Sequence, residues 1–119
     1  MNKTYLVTGA TSGIGLATCK SIIAKGDKVF AVGRDQSKIQ TLLDASSADH
    51  IDFFSVDLNA ENAIENLFEK ISLNNIKLDG FVHCAGIEET IPLVLYTPEK
   101  VNRIFQTNVF TAIELIRLF

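Results

Sequence analysis

The 119-residue sequence has only two cysteines, no excess of basic side chains and no long apolar run. Each scarcity closes a class of function. Cys19 and Cys84 form neither a metal-ligand spacing nor a disulfide framework. Both stand in apolar segments, so reduced, buried thiols and no metal site are expected. A net charge of −3 leaves no basic footprint for nucleic acid or an anionic membrane surface. No stretch reaches the ~18 apolar residues of a membrane span. Met1-Asn2-Lys3 leads straight into a strand-like segment without the apolar region of a signal peptide, so a cytoplasmic location is expected. Repeats, low-complexity tracts and linkers are missing too, which leaves one domain over residues 1–119.

The residues that are present carry a clear pattern. Four short apolar runs stand out: Tyr5 to Val7, Val29 to Val32, Ile51 to Val56, and Phe81 to Ala85. None alternates cleanly with polar residues, which suits parallel strands covered on both faces. Helical stretches lie between them. The first opens at a glycine loop and ends near Lys25-Gly26, where Gly26 suits the left-handed terminal position. The second covers Gln36 to Ala45 and buries Ile39, Leu42 and Leu43. In the third, Ile64, Leu67, Phe68 and Ile71 share one helical face. The fourth starts after Thr97, an N-cap followed by Pro98. Such alternation predicts the α/β class: a doubly wound parallel sheet with helices on both faces.

From Pro98 to Phe119 no glycine or proline interrupts the helix, about 33 Å at the standard rise. It reaches Phe119 with no stop signal, so truncation within or just after this helix is expected. Val101, Ile104, Phe105, Ala112, Leu115 and Phe119 form its expected apolar stripe. Asn108 falls on the same stripe, and a buried amide must find partners.

Thr8-Gly9-Ala10-Thr11-Ser12-Gly13-Ile14-Gly15 joins the first strand to the first helix. Glycines let the backbone turn sharply and approach a pyrophosphate, while the helix N-terminus offers unpaired N–H groups. Thr11 and Ser12 add hydroxyls. No Gly-Lys-Ser/Thr follows, so this is not a Walker loop. The segment resembles the TGxxxGxG signature of the short-chain dehydrogenases/reductases, and the resemblance runs on through the chain in order. It implies a Rossmann fold with strand order 3-2-1-4. It also implies a nicotinamide cofactor held by Gly9, Thr11, Ser12, Gly13, Ile14 and Gly15.

Further residues take roles from the same resemblance. Gly33 stands where NAD-preferring relatives carry an acid, and Arg34 follows, as in relatives that prefer NADP(H). NADP(H) is therefore expected over NAD(H), with a solvated arginine paired to Asp35 as the alternative. An S-adenosylmethionine site is disfavoured by the same Gly33-Arg34. Asp57 and Leu58 match the positions that contact adenine; an N-cap role is the alternative for Asp57. His83-Cys84-Ala85-Gly86 resembles the family's NNAG motif with both asparagines replaced. His83, Ala85 and Gly86 are expected to line the cofactor crevice. Asn108 matches the helix asparagine of the catalytic group, which kinks its helix and holds a relay water; satisfaction by neighbouring backbone is its alternative.

The family's serine and Tyr-x-x-x-Lys pair belong after that helix. Tyr96 and Lys100 have the spacing, but Tyr96 precedes the N-cap and the pair precedes Asn108. Tyr96 is expected to pack against the helix start instead. The implied activity of the full-length protein is hydride transfer between NADP(H) and a carbonyl or alcohol. A nucleotide-binding fragment without turnover is the alternative. In relatives the last helix packs across a subunit interface, so a homo-oligomer through that helix is expected, with the fourth strand left as an open edge.

Overall fold

The near-continuous apolar runs form the centre of the sheet, because their alternate side chains enter two different cores. A computed structural model describes residues 2–119. Strands β1 (Thr4–Thr8), β2 (Lys28–Gly33), β3 (Ile51–Ser55) and β4 (Gly80–His83) are parallel, in the order β3-β2-β1-β4. Leu6, Phe30 and Val32 face one side, against Ile64, Leu67, Ile71 and Leu115. Val7, Val29, Ala31 and Ile51 face the other, against Cys19 and Ile39. Both faces are covered, so no polar alternation is needed. Each fully buried aliphatic side chain contributes about 1.5–3 kcal/mol.

The described residues form five α-helices: α1 (Gly13–Ala24), α2 (Gln40–Ala45), α3 (Ala63–Leu73), α4 (Pro98–Phe105) and α5 (Thr111–Leu118). Gly26, with φ of 84°, ends the first crossover helix as expected. Thr97 caps α4 by accepting a hydrogen bond from the Lys100 amide at 3.3 Å, with Pro98 in the first turn. None of these helices is long and apolar enough to cross a membrane. Burial drives the Cys19 thiol to about 12, so it stays protonated and inert.

Three expectations need correction. The second helix is not continuous: a 3₁₀ turn over Gln36–Ile39 precedes α2. The Asp35 carboxylate starts that turn early by bonding the Ser37 amide, at 3.0 Å. Only Ile39 is fully buried there, with Leu42 and Leu43 packed at the margin.

The last helix is also interrupted. A π-helical turn, Gln106–Phe110, separates α4 from α5. The wider turn shifts the helical phase. Its sheet-facing residues are Thr107, Thr111 and Leu115, while Val101, Phe105 and Phe119 of the expected stripe are exposed. Asn108 is exposed as well, rather than buried on an apolar face.

Finally, β4 ends at His83, short of Ala85; the Cys84 amide still donates to the Thr8 carbonyl at 3.2 Å, and Thr8 also turns its side chain toward these residues. Its hydroxyl accepts hydrogen bonds from the Cys84 and Ala85 amides.

Candidate functional site

The strand order reverses at β1: β2 and β3 lie on one side and β4 on the other. Crossovers that diverge at such a point leave a crevice beyond the carboxyl ends of the strands. A cleft of about 680 Å³ opens there. The glycine loop forms one wall, and Cys84 to Glu88 form the opposite wall.

Close packing shapes the loop. Gly9 has φ of 62°, and a Cβ there would lie 2.6 Å from the Ala85 nitrogen. A Cβ on Gly15 would lie 2.6 Å from the Gly9 carbonyl carbon. The loop therefore folds onto both the segment after β4 and the first turn of α1. Gly13 differs: its φ is 52°, and a Cβ there would meet nothing within 4 Å. Ser12 occupies the N-cap position without a side-chain bond to the helix. The first helical bond runs from the Leu16 amide to the Ser12 carbonyl. The amides of Gly13, Ile14 and Gly15 thus head the helix without intrahelical partners, as an anion site requires. This is a cradle that side chains would fill and that suits a pyrophosphate.

Arg34 lies at the rim, just after β2, and lines the cleft. Asp35 does not compete for it. Its Oδ1 accepts from the Ser37 hydroxyl at 2.6 Å as well as from the Ser37 amide, and these bonds hold the carboxyl below its usual range. Among the described residues no carboxylate pairs with Arg34.

Asp57 and Leu58 follow β3 into the same cleft. Asp57 is not the N-cap of α3, which is Asn62; its Oδ1 instead accepts from the Asn59 amide at 3.0 Å. The Asn59 side chain donates to the Thr107 hydroxyl at 2.8 Å and ties this loop to the π turn. Neither Asn59 nor Thr107 was legible as a site residue. They lie 48 positions apart, and no local motif joins them.

Ala85 and Gly86 line the opposite wall, and so does Cys84, a half-buried thiol rather than the core residue expected. His83 does not line the cleft. Its ring is turned to the Thr8 hydroxyl, with Nδ1 2.6 Å from Oγ1.

Asn108 sits in the π turn, also outside the lining. Its Oδ1 accepts from the Ile87 amide and its Nδ2 donates to the Ile87 carbonyl, each at 2.8 Å. The amide thus pins the loop after β4 beside the cleft. Asn108→Leu is expected to cost about 1–3 kcal/mol, since both Ile87 groups lose their partner. Asn108→Asp, which keeps only the acceptor, should fall between; urea unfolding of both variants checks the order.

Neither Tyr96 nor Lys100 lines the cleft. The Tyr96 hydroxyl donates to the Glu89 carbonyl, and the Lys100 ammonium pairs with the Glu89 carboxylate at 3.3 Å. Tyr96 packs before α4, as its position suggests, and its polar end is engaged.

Comparison with known proteins agrees with this geometry. A family model described as short chain dehydrogenase matches residues 3–119. A benzil reductase, (S)-benzoin forming, of Saccharomyces cerevisiae is 31% identical and aligns with 99% of this chain and 48% of its own length. A short-chain dehydrogenase structure from Streptomyces avermitilis superposes with a TM-score of 0.92 at 26% identity, over 99% of this chain and 43% of that one. A 4-hydroxyisoleucine dehydrogenase complexed with NADH gives 0.89 at 26% identity, over 98% and 47% of the two chains. The chain spans about half the length of the curated relatives it matches.

Proposed function

The chain belongs to the short-chain dehydrogenase family, and on that premise we propose that its cleft binds a nicotinamide dinucleotide, NADP(H) in preference to NAD(H). The observation that carries this reading is the open head of α1 beside Gly13, in one cleft with an Arg34 that has no carboxylate partner among the described residues. The amides of Gly13, Ile14 and Gly15 would hold the pyrophosphate, with Gly9, Thr11 and Ser12 shaping and lining that wall. The Arg34 guanidinium would pair with the 2′-phosphate. Asp57 and Leu58 would receive the adenine, and Ala85 and Gly86 would admit the nicotinamide ribose.

When bound, the cofactor supplies hydride chemistry, and the whole protein would use it on a carbonyl or alcohol substrate. Residues 1–119 would be the cofactor-binding part of that protein. Within them, Asn108 is the member of the family's catalytic group. Its side chain is fully used on Ile87, so its part would be to brace the π turn and the loop after β4.

A second reading is favoured by Tyr96 and Lys100, which are both held by Glu89. No tyrosine–lysine pair of these residues faces the cleft, so the chain would bind nucleotide without turnover. Titration with NADPH, followed by the fluorescence of the reduced nicotinamide, tests the binding reading: saturable binding is expected, and none up to millimolar nucleotide would refute it. Carbonyl-dependent NADPH oxidation by the 119 residues would refute the second reading.

Self-association through the last helix belongs to the same proposal. Phe105, Val109, Phe110, Ile113 and Ile116 are exposed along α4, the π turn and α5, and clustered exposed apolar side chains are a feature of interaction surfaces. Light scattering should give a mass above that of one chain, and Ile113→Lys with Ile116→Lys should lower it.

A further inference from the structure

His83 is one of the sequence's two departures from the resembled NNAG motif, and it is joined to the cleft through one atom. Thr8 is fully buried, and its hydroxyl oxygen has three neighbours. The Cys84 amide donates to it at 3.1 Å, sharing its proton with the Thr8 carbonyl at 3.2 Å, and the Ala85 amide, which depends on the hydroxyl alone, donates at 3.3 Å. His83 Nδ1 lies 2.6 Å away. A hydroxyl has two acceptor lone pairs and one proton. The two amides fill the lone pairs, so the proton must go to Nδ1. Neutral His83 therefore carries its own proton on Nε2, a buried atom without a partner among the described residues.

An imidazolium cannot fit this arrangement. Its Nδ1–H would face the Thr8 proton, or compete with the two amides for the same oxygen and leave the hydroxyl proton without an acceptor. We propose that His83 is a positioning residue: its neutral imidazole takes the Thr8 proton and so keeps the Thr8 oxygen free to hold the Cys84–Ala85 wall of the cleft, a hold that protonation of His83 releases. The consequence for nucleotide affinity rests on the cofactor reading above; the proton coupling does not.

The electrostatic surroundings agree. Alternation along β4 puts His83 on the face of Phe81, which packs under α3 and α5. The charged groups of those helices are Glu65, Glu69, Lys70, Glu114 and Arg117. Arg117 bonds Glu114 and lies 3.8 Å from Glu65. In the loop after β4, Glu88 is exposed, and Glu89 is engaged by Lys100 and Arg103 of α4, which also carries Glu99. β1 carries no charge. Burial alone lowers the pKa of His83. The unfolded chain therefore takes up this proton first: the stability contributed by neutral His83 is present above about pH 6.5 and is lost as pH falls from there toward the lowered value.

The test compares the protein with His83→Asn, whose amide oxygen also accepts the Thr8 proton but does not titrate. NADPH affinity of the unmodified protein should fall more steeply than that of His83→Asn once pH drops below the lowered pKa of His83, by up to about tenfold per pH unit. The variant also cancels the titration of the nucleotide's own phosphate. Nitrogen shifts of the ring should show the Nε2–H form, and the Cys84 and Ala85 amide signals should move with its titration and stay still in His83→Asn. Equal pH slopes for the two proteins, or amides that ignore the ring, overturn the proposal. If NADPH binds at no pH while the amides still follow the ring, the cofactor reading falls and the coupling stands.

Discussion

Gly15→Ala is expected to abolish nucleotide binding and to destabilise the fold by about 3 kcal/mol or more, at the upper end of overpacking effects. The added methyl would lie 2.6 Å from the Gly9 carbonyl carbon and 3.2 Å from the Ala10 Cα, all of it backbone that no rotamer change can clear. Relief requires the loop to leave the head of α1, which takes the pyrophosphate cradle apart. Gly13→Ala is the contrasting case. Its methyl meets nothing within 4 Å, so only the left-handed backbone at φ of 52° is penalised. That costs about 1–2 kcal/mol. Urea unfolding should rank Gly15→Ala well below Gly13→Ala; equal stabilities would show that the loop is not packed as described.

Arg34→Ala should weaken NADPH binding about 10- to 100-fold and leave NADH within a factor of about three. Loss of a charge-assisted pairing with a phosphate is worth about 1.5–3 kcal/mol. NADH has no 2′-phosphate, so it loses only peripheral contact. The intramolecular competitor is absent, because Asp35 is committed to Ser37. Added salt should narrow the NADPH preference of the unmodified protein, since this guanidinium is exposed at the rim and its field is screened. Equal losses for both nucleotides would remove Arg34 from cofactor discrimination.

Much of this was legible in the residues. Uninterrupted runs such as Val29 to Val32 report burial on both faces, and that forces a covered parallel sheet. The glycine spacing from Gly9 to Gly15 places a tight turn at the head of a helix, and the close approaches of Gly9 and Gly15 bear this out.

The π turn was not legible. Residues 98–119 contain no internal glycine or proline, so their periodicity reads as one helix. What accompanies the change of phase is largely tertiary: Thr107 is bonded to Asn59 and Asn108 to Ile87, beside a local bond from the Thr111 hydroxyl to the Thr107 carbonyl at 2.6 Å. An unbroken 3.6-residue pattern therefore assigned Val101, Phe105 and Asn108 to the wrong surface. His83 was misplaced for a related reason. Its position in the motif points to the crevice, whereas a buried hydroxyl on the neighbouring strand holds the ring on the sheet face. Asn59 was missed because its partner is remote in sequence.

A two-dimensional amide titration with NADPH tests the cleft assignment most directly. Saturable shifts are predicted at Gly13, Ile14, Gly15, Arg34, Ala85 and Gly86, with the amides at the head of α1 moving furthest. Shifts confined to residues outside the cleft, such as Asn62 to Glu65, or no shifts at millimolar NADPH, would contradict it.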